Sequence, residues 1–343
     1  MKEILQKIRS SRRIQTSLVV VLVSVVVLSV VLIHLYQDGA KRQRQAESPK
    51  VVVDGVTYYQ KTDMINILVL GIDLRGRIEN EKHVLGENGQ SDMMCVVSID
   101  EKTGGVTLLT IPRETMANID VSASQHNMTG KKTTEEKQIC LQYAYASSSQ
   151  MGAELASQCV EDLLDIPIDY YVAISMGGIE TLVDDIGGVD ITMSGDYLVP
   201  TYLGHPDTLE WLTYHAGETV HMTGAESYEF VHFRDTSRNA TNLERMDRQK
   251  DFFKAFVHNA KATLKTDLTQ ITTIAQDLDG YMTTNIATTD YVKLAKYGLK
   301  AKLDENSILR IPGQDIHVEP YDEYHVDEDA LLQMELGIFY ETE

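Results

Sequence analysis

Charged side chains stand at the ends of three apolar runs in the first third of the chain. Asp73 and Arg75 follow the first run. Asp92 precedes the second run, and Arg113 follows the third. Arginine binds phosphate oxygens in a bidentate fashion, and two carboxylates can hold one Mg²⁺ that bridges such oxygens. The combination suits a pyrophosphate ligand, although each Arg–Asp pair taken alone is also typical of a surface salt bridge.

A second set of basic residues lies after residue 230. Arg234 follows an apolar segment, and Arg245, Arg248 and Gln249 share one face of a predicted helix by their i, i+3, i+4 spacing. That face lies in the first two turns, where the helix dipole disfavours cations. A bound anion would resolve this conflict, because helix N-termini bind phosphates. The alternative is an ordinary i, i+4 salt bridge between Glu244 and Arg248.

The overall composition excludes several classes of function. The 343 residues include 51 acidic and 31 basic side chains, a formal net charge of -20. A chain this acidic does not bind nucleic acid non-specifically, so an anion site must be a local arginine cluster. The sequence contains no G-x-S-x-G, P-loop, H-E-x-x-H or dinucleotide-binding motif. Cys95 is predicted to be buried, and a disulfide between Cys140 and Cys159 is left open.

The alternation of apolar and amphipathic segments predicts the elements that hold these residues. Strands are predicted over residues 65–70, 93–99, 106–111, 170–175 and 189–193. Helices are predicted over residues 135–146, 152–164, 178–185, 245–260 and 327–336. Strands and helices in this order predict an α/β fold with a mixed central sheet sandwiched by helices.

The N-terminal part of the chain has a different character. Residues 18–36 carry no charged side chain and would span about 28 Å as a helix, close to the hydrocarbon thickness of a bilayer. We expect a transmembrane anchor at residues 17–36, rather than a cleaved signal peptide, after a basic cytoplasmic leader at residues 1–16. Residues 37–64 are predicted to form a stalk and a short β hairpin with a D-G turn. Residues 65–343 are then an extracytoplasmic domain.

Six segments of the chain carry a resemblance to a known family. They are NILVLGIDLRG (66–76), SDMMCVVSID (91–100), VTLLTIPRET (106–115), LLDIPIDYYVAISMGGIETLVDDIGGVDITM (163–193), MTGAESYEFVHFR (222–234) and ERMDRQKDF (244–252). In this order they resemble the hallmark segments of the LytR-CpsA-Psr family. Each segment alone is weakly specific, but the combination is highly specific and covers about residues 65–257.

The resemblance implies a function for the domain at residues 65–343. Members of the family transfer a glycopolymer from a polyprenyl pyrophosphate to peptidoglycan through a phosphodiester bond, with Mg²⁺ as cofactor, at the outer face of the lipid bilayer. By resemblance, Asp73 and Asp92 bind the metal. The residues expected to act in catalysis are Asp92, Arg113 and Arg234. The residues expected to bind the substrate are Arg75, Arg113, Arg234, Arg245, Arg248 and Gln249. An apolar tunnel between sheet and helices is expected to hold the prenyl tail.

The chain departs from the family pattern at three positions. Gln90 and His232 stand where the family usually has arginine, and Asn242 stands where it has aspartate. Loss of two arginines would weaken a pyrophosphate clamp, and an unperturbed histidine is mostly neutral at pH 7. Two alternatives therefore stay open. One is a protein that binds the lipid-linked ligand without transferring it, and the other is a pyrophosphatase that acts on the same lipid.

Overall fold

The computed structural model describes residues 48–78, 89–122, 133–201, 210–233, 241–267, 269–301, 305–319 and 321–342. The predicted leader and the predicted anchor lie outside these residues and stay predictions. Over the described ranges, every helix is too short or too polar to cross a bilayer. The chain divides into two compact units, and the larger one runs from Asp63 to Ile338.

The elements are numbered in chain order. The strands are β1 (Lys50–Val53), β2 (Val56–Gln60), β3 (Met64–Ile72), β4 (Ser91–Asp100), β5 (Val106–Ile111), β6 (Met116–Asp120), β7 (Thr134–Gln138), β8 (Tyr170–Ser175), β9 (Val189–Thr192), β10 (Tyr197–Thr201), β11 (Glu210–Tyr214), β12 (Thr219–Met222), β13 (Met282–Thr284), β14 (Ile308–Arg310), β15 (Gly313–Val318), β16 (Tyr321–Val326) and β17 (Tyr340–Thr342). The helices are α1 (Leu141–Ala144), α2 (Ser149–Leu164), α3 (Met176–Asp185), α4 (Gly224–His232), α5 (Thr241–Thr266), α6 (Gln270–Asp277), α7 (Thr288–Lys300) and α8 (Glu328–Phe339).

The smaller unit contains a three-stranded sheet in the order β1-β2-β17. β1 and β2 form an antiparallel hairpin, and β17 pairs antiparallel with β2. The hairpin turn is the D-G pair at Asp54 and Gly55, whose φ angles are 52° and 79°. Positive φ at both positions is the requirement of a type I′ turn, which glycine and aspartate tolerate better than other residues.

The larger unit is built on a six-stranded sheet in the order β13-β8-β3-β4-β5-β14. β3 pairs antiparallel with β4 and parallel with β8. β5 pairs antiparallel with β4 and parallel with β14. The central sheet is therefore mixed, which confirms the predicted fold class. The near-continuous apolar sequences of β3 and β4 are typical of strands that are buried on both faces.

Burial along β4 shows that both faces of this sheet are covered. Met94 and Cys95 are successive residues that point to opposite faces, and each is only 1% exposed. Phe253 of α5 packs against the cluster that contains Cys95. Leu294 of α7 packs against the cluster that contains Ile65 and the far end of β4. α2 contacts β8 and β13. Helices therefore pack on the sheet as the order of segments predicts.

One predicted helix is wrong. Residues 135–146 are predicted as a single helix, but β7 occupies the first part and only Leu141–Ala144 is helical. β7 pairs antiparallel with β6 over five residue pairs, from Met116 with Gln138 to Asp120 with Thr134. The Glu and Lys residues of this segment favour a helix only weakly, and backbone pairing with β6 overrides that preference. The hairpin delivers Cys140 to β4, where its carbonyl oxygen accepts a hydrogen bond from Ser91 N at 3.1 Å.

The cysteines form no disulfide. Cys95, Cys140 and Cys159 are all described, all buried and all free thiols. The pairing of Cys140 with Cys159 that the sequence left open is therefore absent. Burial raises the pKa of Cys95 to about 12 and that of Cys140 to about 11, because a low-polarity environment disfavours the thiolate. Both thiols are neutral at physiological pH.

The contact between α3 and α4 gives a first prediction, on stability. A Cβ atom on Gly224 would lie 2.1 Å from the carbonyl oxygen of Glu180, so Gly224→Ala must push the two helices apart. We expect a loss of about 1–3 kcal/mol in the free energy of unfolding. Gly298→Ala is the control, because nothing lies within 4 Å of its added Cβ atom and alanine favours a helix. Urea denaturation measures both, and equal stabilities of the two variants would contradict the assigned contact.

A second prediction concerns Glu335 of α8, which is 7% exposed. Burial, with a smaller contribution from the Asp165 carboxylate, raises its pKa from 4.5 to about 7. The folded chain therefore binds this proton more tightly than the unfolded chain does. The stabilisation is present at low pH and is lost as the pH rises from about 4.5 to about 7.

We expect Glu335→Gln to flatten this dependence, so that the variant exceeds the parent protein in unfolding free energy at pH 8 but not at pH 4.5. Glu328→Gln, an exposed change on the same helix, should leave the pH dependence as it is. Denaturation curves at the two pH values make the comparison. An unchanged pH profile in Glu335→Gln would show that the carboxyl is not buried in the folded protein.

Candidate functional site

Three strand ends meet at one edge of the central sheet. Asp73 follows the last residue of β3, and Asp92 is the second residue of β4. Arg113 lies two residues beyond β5. Because β4 runs antiparallel to both neighbours, its start lies beside the ends of β3 and β5. The structure thus gathers three of the residues that the sequence singled out.

Asp92 is the centre of this cluster. Its side chain is 6% exposed, and each carboxylate oxygen accepts a hydrogen bond from a different arginine. Arg113 Nη1 donates to Oδ1, and Arg245 Nη1 donates to Oδ2 at 2.7 Å. The Arg245 side chain is 3% exposed. A guanidinium buried this deeply requires a nearby anion, and Asp92 supplies it to two arginines at once.

Arg113 has further partners around its guanidinium. Its Nη2 atom donates to Oε1 of Gln90 and lies 3.5 Å from the Sγ atom of Cys140. Its Nε atom lies 3.8 Å from a carboxylate oxygen of buried Glu114. Gln90, one of the three departures from the family pattern, therefore acts here as an anchor for Arg113. The sequence placed Gln90 at a position of the expected clamp but did not predict its contact with Arg113, and it assigned neither Glu114 nor Cys140 to this site.

The residues of the predicted arginine face of α5 have two different roles. Arg245 reaches the sheet, whereas Arg248 Nη2 donates to the carbonyl oxygen of Phe233. Gln249 Nε2 donates to the carbonyl oxygen of Val231 at 3.2 Å. These carbonyls lie at the C-terminal end of α4, where helix carbonyls lack partners inside the helix. Arg248 and Gln249 therefore tie the end of α4 to α5.

The arginines of the cluster lie close enough to repel one another. Burial, together with repulsion from Arg245, lowers the pKa of Arg248 to about 10. Burial also lowers the pKa of Arg245, although the attraction of Asp92 opposes the shift. Arginine side chains keep their charge in proteins, so both guanidinium groups are cations at pH 7. Additional negative charge would stabilise such a cluster, so it is suited to an anionic ligand.

Arg75 lies at the exposed margin of the site. Its guanidinium stands 5.2 Å from the ring centroid of Tyr228, and its Nε atom lies 3.8 Å from a carboxylate oxygen of Glu180. The backbone can approach α3 here because residue 177 is glycine, where a Cβ atom would lie 2.4 Å from the Arg75 carbonyl oxygen. His232 also contacts Tyr228: the two rings stack, with their centroids 5.1 Å apart. Sequence reasoning missed Tyr228, although its i, i+4 spacing from His232 is a usable signal.

His232 connects this stack to the carboxylates. Its Nε2 atom lies 3.2 Å from Oδ1 of Asp73. The hydrogen bond from His232 lowers the pKa of Asp73, with help from the charges of Arg113 and Arg245 and against the effect of burial. Asp73, Asp92 and His232 each offer one ligand atom, and these atoms all lie within 4.8 Å of one another. Two carboxylates and an imidazole at this spacing fit a divalent cation.

Two candidate positions lie beyond the reach of the structure. Arg234, predicted to bind the pyrophosphate and to act in catalysis, lies outside the described residues, as does the neighbouring segment up to residue 240. The side chain of Asn242 is also outside the described part of the chain. The roles assigned to Arg234 stay predictions. The described chain on either side, at Phe233 and at Arg245, belongs to the cluster.

An apolar cavity begins beside Asp92 and Arg113. It extends between the sheet and α5, with a volume of about 20 Å³. Its lining includes Met93, Met94, Cys95, Leu108, Ile111, Met246, Phe253 and Ile308. This volume holds about one water molecule. We call this cavity, between the sheet and α5, the apolar seam.

Comparison with known proteins gives a consistent family. The sequence model of the LytR_cpsA_psr family matches residues 29–336. The chain is 25% identical over 293 residues to the Bacillus subtilis polyisoprenyl-teichoic acid–peptidoglycan teichoic acid transferase TagV, covering 85% of this chain and 66% of TagV, just under two thirds of it. It is also 25% identical over 253 residues to a Bacillus cereus transferase of the same description, TagU, covering 74% of this chain and 70% of TagU.

Solved structures show the same fold. The crystal structure of Bacillus subtilis TagV aligns with a TM-score of 0.61 and 23% identity, covering 81% of this chain and 96% of that one. The protein gbs0355 from Streptococcus agalactiae also aligns at 0.61, with 24% identity and coverage of 81% and 87%. The structure described as TagT bound to LI-WTA aligns at 0.58, with 20% identity and coverage of 81% and 90%.

The family match includes all three strand ends of the cluster and the arginine face of α5. It covers all six segments whose order carried the resemblance. The aligned structures share the overall fold of this chain. The chain belongs to the LytR_cpsA_psr family.

Proposed function

We propose that this chain transfers a glycopolymer from a polyprenyl pyrophosphate to peptidoglycan and forms a phosphodiester bond. The observation that carries the proposal is the buried Asp92 carboxylate, shared by Arg113 and Arg245 at the mouth of an apolar cavity. A cationic cluster beside an apolar seam matches a ligand with a pyrophosphate head and a hydrocarbon tail. The transferase names of the relatives support the same reading.

The proposed reaction exchanges one phosphorus–oxygen bond for another. A hydroxyl group of the peptidoglycan sugar attacks the phosphorus that carries the glycan. The bond from that phosphorus to the bridging oxygen breaks, and polyprenyl phosphate leaves with the electron pair. Such a transfer depends on positioning and on neutralising the charge of the leaving group more than on a covalent nucleophile. Arg113 and Arg245 supply that charge from fixed positions.

The structure bears on the choice of base for the acceptor hydroxyl. Both carboxylate oxygens of Asp92 already accept hydrogen bonds, one from the guanidinium group of Arg113 and one from that of Arg245. We therefore assign Asp92 the task of holding the two arginines in place. Asp235, which follows Arg234 in the sequence, is a second candidate for the proton transfer and lies outside the described residues.

A divalent cation, Mg²⁺ by the family resemblance, would be held by Asp73 and Asp92 and would neutralise charge on the phosphate oxygens. Asp73 is suited to this role because it is exposed and its pKa is lowered, so it is ionised at pH 7. Arg75, at the exposed margin of the site, would contact a phosphate oxygen of the same ligand. Arg248 and Gln249 contribute by fixing the end of α4, from which Arg234 follows.

The prenyl tail is assigned to the closed seam between the sheet and α5. Two methionine side chains, Met93 and Met246, line it on the sheet face that α5 covers. Methionine side chains are unbranched and adapt their shape more easily than leucine or isoleucine, so the seam can widen without moving the strands. The predicted anchor at residues 17–36 would keep this domain at the outer face of the membrane that carries the lipid substrate.

Transfer itself is the first prediction of this proposal. Purified full-length chain with Mg²⁺, a polyprenyl-pyrophosphate-linked glycan and a peptidoglycan fragment should yield the phosphodiester product and polyprenyl phosphate. Mass spectrometry identifies both. Phosphate release without an acceptor would instead establish the pyrophosphatase alternative. Binding of the lipid without any product would establish the regulatory alternative.

Replacement of one buried arginine is the second prediction. Arg245→Lys keeps the positive charge but loses the planar fork that spans Asp92 and a phosphate. We expect kcat/KM for transfer to fall by about 10²-fold, as for loss of one fixed donor to a developing charge. The control Arg310→Lys changes an exposed arginine on β14. Equal rates for the two variants would show that Arg245 does not contribute to transfer.

A further inference from the structure

The histidine at position 232 lies where a metal ligand would lie. It is the last residue of α4, and its Nε2 atom faces Asp73 at 3.2 Å. A nitrogen of His232 and one oxygen each of Asp73 and Asp92 lie within 4.8 Å of one another. The imidazole therefore offers a nitrogen ligand beside the two carboxylates.

We infer that Asp73, Asp92 and His232 form a mixed nitrogen–oxygen site for a first-row divalent metal ion such as Mn²⁺, which this chain binds in preference to Mg²⁺. The inference deepens the proposed function and rests on it, because the ion would contact the same pyrophosphate. Mg²⁺ prefers oxygen ligands in octahedral geometry and gives up water reluctantly. Imidazole suits transition metals, whose affinity for nitrogen ligands exceeds that of Mg²⁺.

The surroundings of His232 hold its ring in the orientation that a ligand needs. The ring stacks on Tyr228 with an interplanar angle of 17°, and Arg75 covers the same tyrosine. The bonds from Arg248 and Gln249 to the last carbonyls of this segment fix the end of α4. A ligand imidazole whose orientation is set by neighbouring groups binds its metal more tightly. The stack and the two bonds give His232 that support.

Asp92 can serve both the arginines and a metal ion. Its two oxygens accept hydrogen bonds from Arg113 and Arg245, but a carboxylate has about four acceptor positions. A divalent ion would add two positive charges to two guanidinium groups, against the two negative charges of Asp73 and Asp92. The balance is a net charge of about +2, which complements an anionic pyrophosphate. Metal and substrate would then bind more tightly together than either alone.

The test measures metal binding on the purified full-length chain, stripped of metal and without glycan substrate. Loss of the free Mn²⁺ signal in electron paramagnetic resonance gives the Mn²⁺ affinity, and competition gives the Mg²⁺ affinity. We expect Mn²⁺ to bind at least about tenfold more tightly than Mg²⁺. Electron spin echo modulation of the bound Mn²⁺ should show coupling to one imidazole ¹⁴N nucleus. Tighter binding of Mg²⁺, or a spectrum without nitrogen coupling, would overturn the inference.

Two substitutions at position 232 separate the donor atom from the stack. His232→Phe keeps an aromatic ring on Tyr228 but removes the nitrogen donor. It should lower Mn²⁺ affinity about tenfold or more, abolish the ¹⁴N coupling and leave Mg²⁺ affinity nearly unchanged. His232→Gln offers an oxygen instead and should shift the preference back towards Mg²⁺. Unchanged Mn²⁺ affinity in folded samples of either variant would overturn the inference, and circular dichroism establishes folding.

His221→Phe is the matched control. His221 Nδ1 lies 2.8 Å from Asp190 Oδ1, so it is also a histidine paired with an aspartate, but the pair belongs to no three-ligand group among the described residues. Its loss should leave both affinities and the nitrogen coupling unchanged. If the chain catalyses transfer with Mg²⁺ but shows no preference for Mn²⁺, this inference is wrong and the proposed function stands. If the chain binds Mn²⁺ through a nitrogen ligand but catalyses no transfer, the proposed function is wrong and this inference stands.

Discussion

The sharing of one buried carboxylate by two arginines is the interaction on which the site depends. Asp92 lies at the start of β4, Arg113 comes from the end of β5, and Arg245 comes from α5. Neither guanidinium could be buried at this depth without an anion, because desolvation of an unpaired charge costs several kcal/mol. The ion triplet therefore fixes α5 on the edge of the sheet. It also keeps two cations at full charge in a place from which water is largely excluded.

This arrangement is what would let a strongly acidic chain bind the proposed pyrophosphate. At long range, a net charge of -20 repels a pyrophosphate. At short range, Arg113, Arg245 and Arg248 outnumber the nearby buried carboxylates of Asp92 and Glu114. Gln90 then matters as a neutral partner, because it orients Arg113 through an amide oxygen without adding a charge to the cluster. An arginine at position 90 would add a cation to the cluster. The glutamine instead holds the guanidinium group of Arg113 in place.

Sequence reasoning reached the strand ends and the arginine face because both follow from periodicity. Apolar runs predict buried strands, and i, i+3, i+4 spacing predicts a shared helix face. The sequence could not predict which acceptor each arginine contacts. Asp92 with Arg245 and Arg248 with Phe233 join residues on different elements, and only the packing of α5 on the sheet decides which arginine meets which acceptor. The wrong helix at residues 135–146 has the same origin, because β7 exists only through its pairing with β6.

The sequence could not distinguish the apolar seam from ordinary core, and the reason is different. Met93, Leu108 and Phe253 are residues that any core would contain, and in the closed state they are packed as a core. A hydrophobic cavity with no ligand tends to collapse, because its lining gains dispersion contacts when the walls meet. A tunnel for a flexible hydrocarbon and an ordinary core therefore share one sequence pattern. What separates them is position: this seam ends at Asp92 and Arg113, so that a tail inside it would bring its phosphate to the arginines.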